Sequence, residues 1–263
     1  MFAVAIAELR SDIAAEAAAL APDLGVTAYE ARLTLAQGAP VVVLTTADEG
    51  RCLELLSRIR ARGSGAVTFD MSAVVSSQAM IPMRRFRLGQ SSISLDDRPD
   101  VLPYDDVVAL VAAVHREHTS QATESRDRTI SVGRAVMTGG LVMTKTVTRE
   151  TRTETSERDP VLYVFRRSGQ TPWLLRERGT AWAGHGGPMS PMATANFKTT
   201  VEKIRERAHG AVYDDRLVTR RGGPERLTST GGSSNTTTRS SGTGVDVFAH
   251  VIAAWANGSG SRR

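Results

Sequence analysis

The first 70 residues switch back and forth between a strand period and a helix period, and the switches carry capping or breaking residues. Phe2, Val4 and Ile6 alternate with alanine, as a half-buried strand does. Ser11 or Asp12 then offers an N-cap to an alanine-rich helix over Ile13–Ala21, which Pro22 is expected to end. Thr27 with Glu30 three residues on forms a capping box for a second helix, stopped by Gly38-Ala39-Pro40. Val41-Val42-Val43-Leu44 reads as a short buried strand. Thr46 or Asp48 opens a third helix in which Cys52, Leu55, Leu56 and Ile59 share one face while Arg51, Glu54, Arg58 and Arg62 take the other. Gly63 ends it, and Ala66–Phe69 is the next strand. The order β-α-α-β-α-β buries these faces compactly as a layer of helices on a three-stranded sheet, a module spanning 1–72.

The phrase Leu24-Gly25, Glu30-Ala31-Arg32, Gly38-Ala39-Pro40, Ala47, Leu55-Leu56, Arg62-Gly63 and Val67 resembles the C-terminal domain of the bacterial ribosomal stalk protein over about a quarter of the chain. The resemblance implies that fold, and in that family a basic helical face recruits translation factors. Here the family's lysine positions hold Thr27, Ala28 and Arg32, and residues 1–79 carry 6 basic against 9 acidic groups, a net of −3. The fold is therefore expected and the partner is not.

Beyond residue 80 the strand signals are short. Met80–Leu88 and Ser92–Leu95 are separated by Gly89, and Asp96–Asp100 is a turn cluster. Ala109–Val114 is open between helix and strand on periodicity, and its valines favour a strand. Val161–Phe165 and Trp173–Arg176 are further strands. The best helix signal follows: Ser190 as N-cap, Pro191 at the first position, then Phe197, Val201, Ile204 and Ala208 on one face, closed by Gly210. Short strands followed by one amphipathic helix, with Leu102-Pro103-Tyr104-Asp105-Asp106-Val107 as an opening phrase, resemble the bacterial pleckstrin-homology-like fold. That resemblance implies a small curved antiparallel sheet capped by one helix over 80–215, interrupted at about 117–159 by an insertion read as a long β-hairpin arm. Within it, the apolar run Val136–Met143 could fill space under a loop or enter a membrane or another protein.

From 216 to 244 serine, threonine and glycine dominate, too little apolar surface to offset ordering, so a flexible, disordered linker is expected. The chain then turns amphipathic. Val245, Phe248, Val251, Ile252 and Trp255 share one face of a helix at 245–257, capped by Asp246 or its predecessor, and this tethered face, with Phe248, Val251, Ile252 and Trp255, is the candidate for binding a partner or docking back on the chain. The fold class expected is α+β.

Composition limits the function classes. Of 263 residues, 41% are apolar and 23% charged, which excludes wholesale disorder, collagen and a polytopic membrane protein. One cysteine in a chain of this length suits a reducing compartment, so a cytoplasmic location is expected, and the early Glu8, Arg10, Asp12 and Glu16 argue against a secretory signal. The net charge of +5 includes +5 from residues 216–263 and +3 from 80–215. Its 30 Arg against 3 Lys read as coding bias of a GC-rich genome, and aromatics are only 5%, so nucleic acid is not the expected partner. Neither is a membrane. A protein is.

No chemical motif is complete. His115 and His118 would share a helix face, but zinc needs a third or fourth protein ligand and none is spaced for it, so no metal is expected. Tyr104-Asp105-Asp106 and Tyr213-Asp214-Asp215 pair carboxylates, yet adjacent Asp residues point to different sides, which favours turn and capping roles. Gly184–Pro188 and Ser131-Val132-Gly133 lack the strand and helix context of a nucleotide loop, and neither a Gly-Lys-Ser/Thr nor a Gly-x-Ser-x-Gly occurs. Cys52 faces the core. No cofactor and no catalytic residue is expected. The leading reading is a non-enzymatic cytoplasmic interaction or scaffold module. The alternatives are an enzyme with its site around Trp182, His185 and Asp105, and an RNA- or ribosome-associated factor.

Overall fold

The computed structural model describes residues 1–130, 144–167, 169–220, 226–230 and 234–260. The chain forms two compact units, one of Met1–His115, Asp159–Pro224 and Gly242–Arg263, the other of Arg116–Arg158 and Glu225–Ser241. The fold is α+β with mainly antiparallel sheets and a C-terminal helix.

The first unit begins with β1 (Phe2–Glu8), α1 (Ile13–Leu24), α2 (Ala28–Leu35), β2 (Val41–Thr46), α3 (Glu49–Ala61) and β3 (Gly65–Asp70). The caps act as their chemistry dictates. Asp12 accepts from the Ala14 and Ala15 amides, Thr27 and Glu30 close the capping box, and Asp48 accepts from the Arg51 amide. Pro22 does not end α1. Helix residues continue to Leu24, and Gly25, at φ 70°, makes the left-handed stop that a side chain resists. The sheet order is β2-β1-β3, antiparallel throughout. Central β1 is buried on both faces: Val4 and Ile6 pack under α1–α3 with Leu20, Leu55 and Ile59, while Ala5 and Ala7 face the other way.

A second sheet runs β4 (Ile81–Pro82), β10 (Trp173–Arg176), β9 (Thr144–Arg166), β8 (Val107–Ile130), with β11 (Val212–Asp215) parallel to β8 at Ala109–Val111. The valine-rich segment after Asp106 is thus a strand. Val161, Tyr163 and Phe165 point to one side of β9, and Leu162 and Val164 to the other. The second set meets the antiparallel meander β5 (Phe86–Leu88), β6 (Ser92–Leu95) and β7 (Val101–Pro103), and is covered by α4 (Ala193–Arg207) through Val201, Ile204 and Ala208. Met192, not Ser190, is the N-cap of α4. Ser190 and Asn196 hydrogen-bond to each other's segment and hold residues 190–192 outside the helix.

The C-terminal helix α5 (Gly242–Gly260) is longer than the expected 245–257 and carries its load on two sides. Phe248, Ala249, Ile252 and Ala253 pack on Val108, Val111, Val161 and Phe165 of the second sheet. Val251, Ala254 and Trp255 pack on Ala5, Ala7, Val67 and Phe69 of the first. A helix apolar around most of its circumference is a buried helix. It joins the segments expected as separate domains at 1–72 and 80–215 into one unit. The helical turn Arg216–Thr219 adds to this: Arg216 donates to the Ala7 carbonyl at 2.7 Å, and Arg220 donates to the Gly38 and Pro40 carbonyls at 2.9 and 2.6 Å while stacking on Phe248. The span expected to start a linker therefore holds side chains fixed on the folded core.

In the second unit β12 (Arg226–Thr230) pairs antiparallel with β13 (Ser234–Ser240), and β13 with residues 117–123 of β8. Strand pairing here satisfies backbone groups without needing apolar side chains. The apolar run Val136–Met143 lies outside the described residues.

Truncating a fully buried isoleucine leaves a cavity as well as losing transfer free energy. Ile252→Ala, at a position 1% exposed, is expected to lower unfolding free energy by about 2–5 kcal/mol in chemical denaturation. Gly65→Ala would place a methyl 2.7 Å from Trp255 Cζ2, so its cost should shrink when Trp255→Ala is made with it; equal costs in both backgrounds would place α5 elsewhere.

Candidate functional site

Helix α5 is fixed by polar groups as well as by packing. Strand β8 brings His115, β9 brings Tyr163, and α5 brings Asp246 and His250 to one place. The Tyr163 phenol donates to Asp246 Oδ1 at 2.6 Å and accepts from His115 Nε2, also at 2.6 Å, since its single proton is committed to the carboxylate. Asp246 Oδ2 accepts the Ser77 amide at 2.9 Å. One turn along the helix, His250 Nδ1 donates to the Asp246 carbonyl at 2.8 Å and Nε2 accepts the Val75 amide at 3.1 Å. An imidazole that accepts at one nitrogen is neutral.

The electrostatics agree with that assignment. Burial pushes both His115 and His250 below the ordinary imidazole value of 6.5, against the opposing pull of Asp246. Burial, then the neighbouring Asp246, holds the Tyr163 phenol well above its ordinary range, so it keeps the proton it donates. Asp246 itself is 2% exposed. A carboxylate so enclosed, with both oxygens bonded, is an anchor rather than a reacting group. It sits inside α5 and does not cap it, because the helix begins four residues earlier.

Residues 75–80, a strap that Asp246 and His250 hold at Ser77 and Val75, lead into a cavity of about 520 Å³. Arg84, Arg176 and Arg178 line it together with Ser77, Gln78 and Thr180, over a floor that includes Met80 and Leu174. No acidic residue is among the lining residues. The end of β10 and the turn at Gly179, φ 74°, aim this side of the cavity. Arg176 Nη1 reaches Asp159 Oδ2 at 3.2 Å, the Arg178 amide donates to Asp159 Oδ1 at 3.3 Å, and the Thr180 hydroxyl donates to the Arg176 carbonyl at 2.7 Å. Across from them, the Met83 amide donates to the Leu174 carbonyl at 2.9 Å, which sets where Arg84 leaves the strand. Arginine residues lining a concavity suit carboxylate or phosphate oxygens, as the Arg176–Asp159 pair beside it already illustrates.

The residues singled out in the sequence lie elsewhere. Phe248, Val251 and Ile252 are buried and Trp255 is half-buried, so the face offered to a partner is spent on the chain's own two sheets. Trp182, His185 and Asp105 do not line the cavity. His185 is 1% exposed, its Nδ1 lies 2.6 Å from the Trp182 carbonyl, and Lys203 Nζ donates to the His185 and Gly186 carbonyls. Gly184 is there because a Cβ would meet the Phe86 carbonyl oxygen at 1.4 Å. Asp105 is exposed, and Asp106 accepts from Arg166 Nε at 3.2 Å. Asp214 is occupied by Arg216, and Tyr213 lies under the Arg205 guanidinium. His115 lies on a strand, where a spacing of three to His118 does not share a face as it would on a helix. Among the described residues no group of three or more His, Cys, Asp or Glu could hold a metal ion, and no helix is long and apolar enough to cross a membrane. Cys52 is buried, and burial raises its thiol above the ordinary value.

Sequence reasoning missed the anchor because Tyr163 and His115 sit within apolar strand runs. It missed the cavity because Arg84, Arg176 and Arg178 look like any of the 30 arginines. Comparison with protein-family models, curated proteins and solved structures finds no match for the chain.

Tyr163→Phe removes one partner from a buried carboxylate oxygen and should cost about 1–3 kcal/mol or more. The two histidines set a pH dependence whose sign follows from their depressed values: the unfolded chain takes up protons first as pH falls. Stability is then full above about 6.5 and declines below it toward the lowered folded-state values, by at most about 1.4 kcal/mol per pH unit per histidine. Denaturant titrations at pH 7.5, 6.5 and 5.5 check both, and a stability that rises on acidification from 7.5 would contradict the neutral assignment.

Proposed function

We propose that the chain is a non-enzymatic cytoplasmic interaction module whose binding site is the arginine-lined cavity, and that its partner is a protein presenting an acidic segment. The observation that supports this reading is three arginine residues, Arg84, Arg176 and Arg178, lining one concavity beside the Asp159 carboxylate, which pairs with Arg176. Glutamate or aspartate side chains entering it would meet arginine side chains and the Ser77 hydroxyl, and hydrogen bonds from a guanidinium to a carboxylate are charge-assisted. The cavity's size, about 520 Å³, matches a short stretch of side chains or a small ligand rather than an extended surface. The cytoplasmic location rests on the single thiol, Cys52.

A capped hexaglutamate peptide is the probe. Calorimetric titration of the full chain in low salt should give saturable binding, weaker as salt is raised from 50 to 200 mM. Arg84→Ala combined with Arg178→Ala, both at exposed positions, should weaken it at least tenfold, about 1.4 kcal/mol, while circular dichroism stays unchanged. Absence of binding to the wild-type chain, or equal binding by the double variant, would overturn the reading. Tighter binding of pyrophosphate than of the peptide would replace the protein partner with a phosphate ligand.

A further inference from the structure

The cavity wall and the polar anchor of α5 share one short stretch of chain. Val75 donates its amide to His250 Nε2, Ser77 donates its amide to Asp246 Oδ2, and Ser77 and Gln78 line the cavity. Met80, two residues on, is buried in the same core as Phe248 and Ile252. The strap is thus held from inside by two side chains of α5 one helical turn apart, and it presents its far end to the site.

We propose that His250 is a proton-operated latch on the cavity wall: neutral, it holds the strap at Val75 and keeps the wall formed; protonated, it releases the strap and lowers affinity for an acidic ligand. The inference rests on the cavity being the binding site. The chemistry is a conflict of donors. A proton on Nε2 places an N–H opposite the Val75 N–H at 3.1 Å, where the neutral ring had offered a lone pair. Nδ1 offers no alternative acceptor, because it already donates to the Asp246 carbonyl. The ring therefore cannot flip to restore the bond without losing the other one, and the amide of Val75 must leave.

The groups facing this imidazole are few. From its own helix come the Asp246 carbonyl and carboxylate; from β9 comes the Phe165 ring, edge-on with centroids 5.0 Å apart; from the strap comes the uncharged Val75 backbone. Behind Asp246 stand the Tyr163 phenol and the His115 ring, and around His115 the charges are Asp159 and Arg176. Asp246 would steady a cation on His250, and burial opposes it more strongly, so the neutral ring prevails at pH 7. Arg176 and Arg178 belong to β10 and the turn after it, and Ser77 and Gln78 to the strap, so release of the strap alters the lining from a different stretch of chain.

The experiment separates the latch from the site it controls. Amide hydrogen exchange of the full chain at pH 7.5, 6.5 and 5.5, corrected for intrinsic rates, should show protection at Val75 and Ser77 falling more than at Ala5 and Ile6 of β1, by up to about tenfold. His250→Gln, which keeps an acceptor but cannot titrate, should hold that protection flat. Calorimetry with the hexaglutamate peptide should show affinity weaker at pH 5.5 than at 7.5 for the wild-type chain, by up to about tenfold, and a clearly smaller change for His250→Gln. Uniform loss of protection across β1 and the strap, or the same loss in His250→Gln, overturns the latch. If exchange behaves as stated and the peptide binds at no pH, the latch stands as a structural switch and the cavity is not the acidic-segment site.

Discussion

The burial of α5 between two sheets is the contact on which the rest of the structure depends. The first sheet covers only one of its faces with α1–α3, and the second covers only one of its faces with the meander and α4. Each would otherwise leave an apolar face in water. One helix, apolar on two sides, closes both: Val251 and Trp255 toward the first sheet, Phe248 and Ile252 toward the second. Each such side chain contributes about 1.5–3 kcal/mol of transfer free energy, a large share of a typical domain's net stability. The small residues facing it, Ala5, Ala7 and Gly65, let the helix come close enough to make those contacts.

A helix held by packing alone could slide by a turn at modest cost, because apolar contact is non-directional. The Asp246 anchor removes that freedom. Its two oxygens are bonded to groups from different parts of the chain, Tyr163 on β9 and Ser77 on the strap, and His250 adds a third fixed direction. Misplacing the helix would leave a buried carboxylate unpaired, a far larger penalty than a shifted methyl group. Specificity of docking and coupling to the strap arise from the same few bonds. The same bonds make the junction responsive to protons, since two of its members are imidazoles.

The N-terminal module was legible because its signals are local. Thr27 and Glu30 meet three residues apart, Asp48 caps the next turn, and Cys52, Leu55, Leu56 and Ile59 recur at helical spacing. The strand Val161–Phe165 was legible as a β-branched and aromatic run, while at Ala109–Val114 periodicity left helix and strand open and only the valines favoured the strand. Pro22 misled, because a proline late in a helix costs one hydrogen bond and need not end it, and Gly25 supplied the stop instead. Ser190 misled because Asn196 drew it into a local network outside the helix. Strands at 226–230 and 234–240 that bond mainly through backbone groups leave little hydrophobic pattern in the sequence. The candidate site was hardly legible at all. Arg84 and Arg178 lie 94 positions apart in sequence, and nothing near either marks it as facing the other.

The sequence by itself determined the elements of 1–72, the strand at 161–165, and the existence of an amphipathic helix near the C-terminus, because each depends on residues within a few positions of one another, while 109–114 stayed open between helix and strand until the sheet settled it. It also determined that this helix must cover its apolar residues. Where it would do so was decided only by the tertiary structure, since an exposed apolar stripe is equally suited to a partner and to the chain's own sheets. Tertiary structure decided in favour of the sheets, through the alanine and glycine face of β1 and β3 and the unfilled hydrogen-bonding capacity of Tyr163 and Ser77. It also assembled the arginines into one cavity, which no local pattern encodes because the distances that matter there are in space and not along the chain.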